Sequence, residues 1–190
     1  MVAGVDEVGR GSWAGPVVAA AVILPLGTAG LAETLADVRD SKCLEADERE
    51  RLARLVRSCS VCTAIGWSSH HVVDSAGLGV ANRRAMTRAV RHLSLSPHAL
   101  LVDAMKLGAY DIPAVSVVKG DSLSLSIAAA SILAKVVRDG WMKRLDARCP
   151  HYEFGTHKGY GTPSHRDAIA RHGISRYHRR SFRPLMALGD

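Results

Sequence analysis

The sequence predicts an α/β domain built on a mixed sheet. Short apolar, β-branched runs stand at 2–8, 17–24, 61–67, 99–103 and 114–118, the length and composition of strands. Between and after them lie segments whose apolar residues recur at three- and four-residue spacing, the period of a helix with one buried stripe. No repeat, low-complexity tract or long Pro/Gly/Ser linker divides the 190 residues, so one compact unit is expected. The three early strands have short connections and the later ones longer connections, which favours a mixed sheet.

In chain order, 2–8 and 17–24 form two neighbouring strands joined by the glycine-rich GRGSWAG. The second is apolar on both faces and is expected to be buried. Segment 45–58 sets Leu52, Leu55 and Val56 among charges, the pattern of a surface helix; 61–67 is a third strand. Ala81, Ala85 and Ala89, with Met86, Val90 and Leu93, give a helix whose small-residue face can approach a sheet closely. ALLVD and AVSVV are two further strands, and the second leads through Lys119-Gly120 into a long helical pattern striped by Ile127, Ala130, Ala134, Val137, Trp141 and Leu145. Beyond Pro150 the chain turns basic and partly helical.

A formal charge of +7 suits a polyanionic partner. Residues 151–190 hold seven Lys/Arg against three acids, and five of the nine histidines, which makes this end the expected polyanion face. The longest apolar run, 17–24, is far short of the roughly 20 residues a bilayer span requires. The N-terminus lacks the features of a signal peptide, so a cytoplasmic protein is expected. Cys59 and Cys62 have C-x-x-C spacing, but a zinc site would want a second close pair and none exists; buried free thiols are the expectation.

Acids at the ends of apolar strands are unusual, because a carboxylate buried without a partner is costly. Asp6 and Glu7 continue VAGV, Asp103 ends ALLV, and Asp121 follows AVSVVKG. Alone, Asp121 reads as a helix N-cap and Asp103 as a turn residue. Neither turn nor cap explains two acids extending one strand. Clustered carboxylates resist ionisation unless a cation is present, and hard oxygen ligands select Mg²⁺ or Mn²⁺. On a basic chain such a cluster points to phosphodiester chemistry. Successive strand side chains point to opposite faces, so Asp6 is expected to be the central ligand, with Glu7 reaching in where the strand gives way. In GRG, Gly9 and Gly11 allow close backbone approach to a sugar or phosphate, and Arg10 adds charge.

MVAGVDEVGRGSWAGPVVAAAVIL closely resembles the N-terminal signature of the bacterial ribonuclease HII family. DSKCL, VDSAGLGVANRRAMTRAV, LLVD, KGDSLSLSIAAASILAKVVRD, HKGYGTPSH and HRRSF follow in family order over nearly the whole chain. The resemblance implies a ribonuclease H-like mixed five-stranded sheet flanked by helices, with a C-terminal helical segment: a catalytic unit over 1–150 and a basic substrate-binding segment over 151–190. It implies hydrolysis of RNA paired with DNA and nicking 5′ of a ribonucleotide embedded in duplex DNA, leaving 3′-hydroxyl and 5′-phosphate ends. Asp6, Glu7, Asp103 and Asp121 would bind Mn²⁺ or Mg²⁺ and catalyse. Gly9, Arg10 and Gly11 would read the ribose 2′-hydroxyl, and Tyr160 would stack on the sugar beside the junction. Ser41, Lys42, Lys119 and Arg180 would contact phosphates, and the expected state is a monomer.

The chain departs from the family pattern at AMKLGAYDIP after Asp103, at SLSLS over 122–126 and at LGVANRRAM, none of which touches the four acids. Two other readings of the residues stand beside hydrolysis of RNA. A nuclease acting on all-DNA substrates could use such an acid cluster, and a non-catalytic nucleic-acid binder could use the basic end.

Overall fold

The structure, a computed structural model, describes residues 1–39, 41, 44–107 and 111–186. Five strands, β1 (Val2–Val8), β2 (Val17–Ile23), β3 (Cys62–Ser68), β4 (Ala99–Asp103) and β5 (Ala114–Val117), form one sheet in the order β3-β2-β1-β4-β5. The first three pair antiparallel; β4 and β5 run parallel to β1. The sheet is therefore mixed, with β1 its central strand, but not for the reason the connection lengths suggested: antiparallel β2 and β3 are separated by residues 24–61, which include α-helices, and parallel β4 and β5 only by 104–113. Asp6 pairs across with Ala20 of β2, while Val5 pairs with Val102 of β4, so the ends of β1 and β4 lie side by side and carry Asp6, Glu7 and Asp103.

The helices are α1 (Leu31–Thr34), α2 (Ala46–Cys59), α3 (His70–Ala76), α4 (Leu78–Arg91), α5 (Gly120–Leu123), α6 (Leu125–Arg148), α7 (Phe154–His157), α8 (Pro163–His172) and α9 (Arg183–Met186). One face of the sheet, with Ala3, Val5, Ala19 and Ala21, packs on Ala81, Ala85, Met86 and Ala89 of α4. The other, with Ala20 and Val22, packs on Ile132 and Leu133 of α6, and α2 covers that layer. Glycine sits where a helix backbone touches a strand. A Cβ on Gly4 would fall 2.2 Å from the Ser126 carbonyl group of α6, and one on Gly66 would fall 2.1 Å from the Ala85 carbonyl oxygen of α4.

A third apolar cluster joins Trp13 and Ala14 of the β1–β2 loop, Met142 of α6, and Tyr152, Phe154, Ala168, Ile169 and Leu185. The basic C-terminal segment thus packs directly on the glycine-rich loop.

The segment over 119–145 is not one helix. The backbone at Ser124 is extended (φ −132°, ψ 119°), separating the single turn α5 from α6; the serines of SLSLS compete with helical hydrogen bonding. Gly77 likewise separates α3 from α4 at φ 84°. Cys59 ends α2 and Cys62 begins β3; both are free and partly buried. Among the described residues no helix is long and apolar enough to cross a membrane.

Candidate active site

A cleft of about 600 Å³ opens where β1 and β4 end. Asp6, Glu7 and Asp103 line it together with Gly9, Arg10, Gly11, Ser41 and Tyr160. Eight residues separated by as many as 154 positions in sequence are thereby drawn into one cavity.

The two adjacent acids face different helices, as strand alternation requires. Asp6 is buried at 4% exposure on the α6 side, with Ser131 as its hydrogen-bonding neighbour. Glu7 lies towards Asn82 of α4, and its carboxylate oxygen is 3.4 Å from Arg10 Nη1. Because β1 ends here, both still reach the cleft. Asp6 also folds back on its own strand: the Glu7 N–H donates to Asp6 Oδ1 at 2.7 Å. Burial, followed by the charges of Glu7 and Asp103, pushes the Asp6 carboxyl up to about 8. Burial likewise raises Glu7, opposed by Arg10. Without added positive charge Asp6 holds a proton at neutral pH that it would shed beside a cation.

Asp103 is held from β5's side, its Oδ1 accepting the Gly120 N–H at 2.7 Å. Asp121, the next residue, is buried and accepts from Ser122 Oγ at 3.5 Å, but it does not line the cleft. It is not the N-cap of the long helix either; it lies inside α5, whose N-cap is Lys119 at φ 55°. Among the described residues no three His, Cys, Asp or Glu side chains stand in ready-made coordinating positions. The acids are thus a donor set of the right chemistry that a cation would have to draw together.

The remaining sequence candidates divide. Ser41 lines the cleft from a buried position, with its hydroxyl 2.9 Å from Ser131 Oγ and its carbonyl accepting from Arg49 Nη1. Tyr160 is half-buried, not a free face on a loop. The Lys135 ammonium and Arg138 guanidinium stand 6.0 and 5.6 Å from its ring centre. Lys119 and Arg180 do not line the cleft. The backbone N–H of Arg180 donates to Asp74 Oδ2, and the neighbouring Arg179 turns inward instead. Lys42 lies outside the described residues.

Several cleft residues escape sequence reasoning. Ser131 and Lys135 stand four apart on α6 and line the cavity with Arg49. They are a polar strip in a helix otherwise read for its apolar stripe, and that i, i+4 spacing was the available signal. Lys135 Nζ bonds Asp139 Oδ1 at 3.0 Å, and Arg49 lies 3.9 Å from the same carboxylate.

Behind Tyr160 is a buried histidine chain with fixed proton positions. The Ser175 N–H donates to His178 Nδ1, leaving Nε2–H of His178 to donate to His165 Nε2 at 3.0 Å, and Nδ1–H of His165 to donate to the Tyr160 carbonyl at 3.0 Å. His157 stacks on His165, its Nδ1 accepting from Gly159 N–H. Burial pushes His165 and His178 down to about 4. These three imidazoles are buried neutral struts, so they add nothing to a cationic surface.

A mixed five-stranded sheet with carboxylates at the ends of its central strands belongs to the ribonuclease H class of nucleases. The ribonuclease H2 of Pyrococcus horikoshii superposes with a TM-score of 0.81 at 25% identity over 99% of this chain and 96% of that one. The RNase HII of the PCNA:RNase HII complex from Archaeoglobus fulgidus gives 0.81 at 27%, covering 100% and 97%. At 20% identity a Bst-RNase HIII solved with Mn²⁺ shares the fold, with a TM-score of 0.71 over 100% of this chain and 70% of that one. The family model for ribonuclease HII matches residues 3–185. The Ribonuclease HII of Herpetosiphon aurantiacus is 47% identical over all of this chain and 92% of its own length, and that of Geobacillus kaustophilus 49% over 97% and 68%. The chain belongs to the ribonuclease HII family and is a metal-dependent endoribonuclease acting on RNA within RNA/DNA hybrids and on embedded ribonucleotides.

Proposed function

We propose that this enzyme nicks on the 5′ side of a ribonucleotide joined to DNA, leaving 3′-hydroxyl and 5′-phosphate ends, with Mn²⁺ or Mg²⁺ held by Asp6, Glu7, Asp103 and Asp121. The observation that carries the reading is the buried acid rim, with Asp6 raised to about 8, beside the Gly9–Gly11 loop in one cleft. Oxygen-only donors and surplus negative charge fit a hard divalent cation, and the related HIII enzyme was solved with Mn²⁺. Such a cation would supply an activated water and stabilise charge on the leaving oxygen.

The chain's own residues do the rest. Gly9, Arg10 and Gly11 contact the ribose and its 2′-hydroxyl, which distinguishes RNA from DNA. Tyr160, four ångströms from a Cβ built on Gly11, packs on the neighbouring sugar. Lys135 and Arg49 line the cleft as cations for the strand's phosphates, a role for which Lys42, Lys119 and Arg180 remain outer candidates. In this reading residues 1–150 carry the chemistry, 151–190 the substrate contacts, and the enzyme works as a cytoplasmic monomer.

The test compares cleavage of three duplexes with each metal: all-DNA, a continuous RNA/DNA hybrid, and DNA carrying one ribonucleotide. Cleavage of the last two, with the first inert, is expected. Cleavage of the all-DNA duplex, or of none with either metal, overturns the reading.

A further inference from the structure

We infer that Arg138 is a positioning residue that fixes the ribose-reading loop from behind, and that Gly9, whose backbone conformation already favours glycine, also makes room for its guanidinium. This rests on the functional reading above and adds to it a residue that touches no substrate.

Arg138 sits on α6 with no exposed surface. A buried guanidinium is costly to desolvate, and here it spends its donors on main chain and one hydroxyl. Nε donates to the Pro16 carbonyl at 3.0 Å; Nη2 donates to Ser12 Oγ at 2.6 Å and the Ala14 carbonyl at 3.2 Å. Nη1 crosses to the other half of the reader and donates to the Lys158 carbonyl at 3.0 Å, two residues before Tyr160. One planar fork thus ties the loop after β1 to the turn bearing Tyr160, and a lysine's single ammonium could not reproduce that span.

Arg179, also buried, takes the carbonyls that Arg138 leaves. Its Nε and Nη2 reach the Gly15 oxygen at 3.1 and 2.9 Å, and Nη1 reaches the Arg10 oxygen at 2.9 Å. The loop is therefore shaped by two guanidinium groups on the side away from the cleft.

Gly9 supplies the reciprocal evidence. Its φ is +91°, and a Cβ there would lie 2.2 Å from Arg138 Nε and 2.8 Å from Cδ. A Cβ on Gly11, by contrast, meets only Tyr160, at 3.9 Å. Within GRG both glycines line the cleft, but only the first has the arginine packed beneath it.

The test is a double-mutant cycle on the single-ribonucleotide duplex. Arg138→Ala and Gly9→Ala are each expected to lower kcat by about 30-fold or more, since small misplacements near the chemistry carry costs of that order. KM should move by less than about 3-fold, because the phosphate contacts lie elsewhere. The double variant should be no worse than the poorer single one, and millimolar ethylguanidinium should restore part of kcat in Arg138→Ala alone. Losses that multiply, an unchanged kcat in folded Arg138→Ala, or losses confined to KM would overturn the inference. If Arg138→Ala does not fold, the cycle is run with Arg138→Lys under the same criteria.

A second readout separates this inference from the functional reading. In a Trp67→Phe/Trp141→Phe background, Trp13 alone reports the loop by fluorescence. Its emission should shift in both single variants and shift no further in the double, even if no duplex is cleaved. An unshifted Trp13 spectrum in the folded variants overturns the positioning role.

Discussion

The two flanks of the cleft are built to different standards. On the β1–β2 side every supporting element is buried: Asp6 lies between sheet and α6, two guanidinium groups grip the 10–16 loop, and neutral histidines brace Tyr160. On the β4–β5 side, β5 is a four-residue edge strand with Val115 54% exposed, and Val118 and Leu123 beyond it are 72% and 73% exposed. There Asp103 is held by one amide, that of Gly120. The difference teaches that the loop beside Asp6 is fixed by buried contacts on every side, whereas Asp103, on a strand whose Leu100 and Val102 are buried, takes its hydrogen bond from a neighbouring segment that leaves its own apolar side chains in solvent.

The most severe way to break this contrast is to remove a central acid. Asp6→Asn and Asp103→Asn should each lower kcat by roughly 10³-fold, corresponding to several kcal/mol of lost charge stabilisation, while hybrid binding by fluorescence anisotropy stays within about threefold. Full turnover in Asp103→Asn would remove that residue from the mechanism.

Next comes a packing change on the rigid side. In Gly4→Ala the new methyl meets the Ser126 carbonyl at 2.2 Å, backbone against backbone, and urea denaturation should register a loss of about 3 kcal/mol or more. A loss below about 1 kcal/mol would mean that α6 yields more easily than its burial implies.

Acid offers a gentler probe. His165 and His178 are pushed from the ordinary value near 6.5 to about 4 in the folded state. Between those values the unfolded chain binds more protons, so their contribution is fully present above about pH 6.5 and is lost as the pH falls towards 4. Melting temperature should decline across that window, and His165→Gln should flatten the decline. An equal slope in the variant would show that other groups dominate acid unfolding.

The smallest effect is expected on the loosely built flank. Val118→Thr should change stability by less than about 0.5 kcal/mol, as exposed substitutions do. A larger loss in thermal melts would mean that this edge is more tightly packed than its exposure implies.

Much of this was legible in the sequence because the relevant signals are local. Five apolar runs gave five strands, and the alternation rule separated Asp6 from Glu7 before any coordinates. What stayed hidden depends on distant partners. Nothing near Arg138 or Arg179 in sequence announces that their guanidinium groups meet carbonyls 20 to 169 positions away. In HRRSF the exposed Arg180 looked as suitable as its buried neighbour. His157, His165 and His178 counted towards a basic end in the sequence, and only their burial and mutual contacts in the fold show them as packing groups. Ser124 and Gly77 lie just ahead of the apolar stripes that begin at Ile127 and Ala81, and periodicity, which records the buried face and not where the backbone turns, left those breaks unmarked.

The bridge between Ala14 and His178, with the Arg179 N–H donating to the Trp13 carbonyl, has a consequence for the order of events during synthesis. At ribosomal speeds the loop over 9–16 emerges on the order of ten seconds before the residues that grip it. Until then the nascent chain carries its acids but has no formed reader. A polypeptide stopped short of residue 178 would hold all four proposed metal-binding carboxylates, the glycine-rich loop and Tyr160, yet lack the His178 and Arg179 contacts that shape that loop.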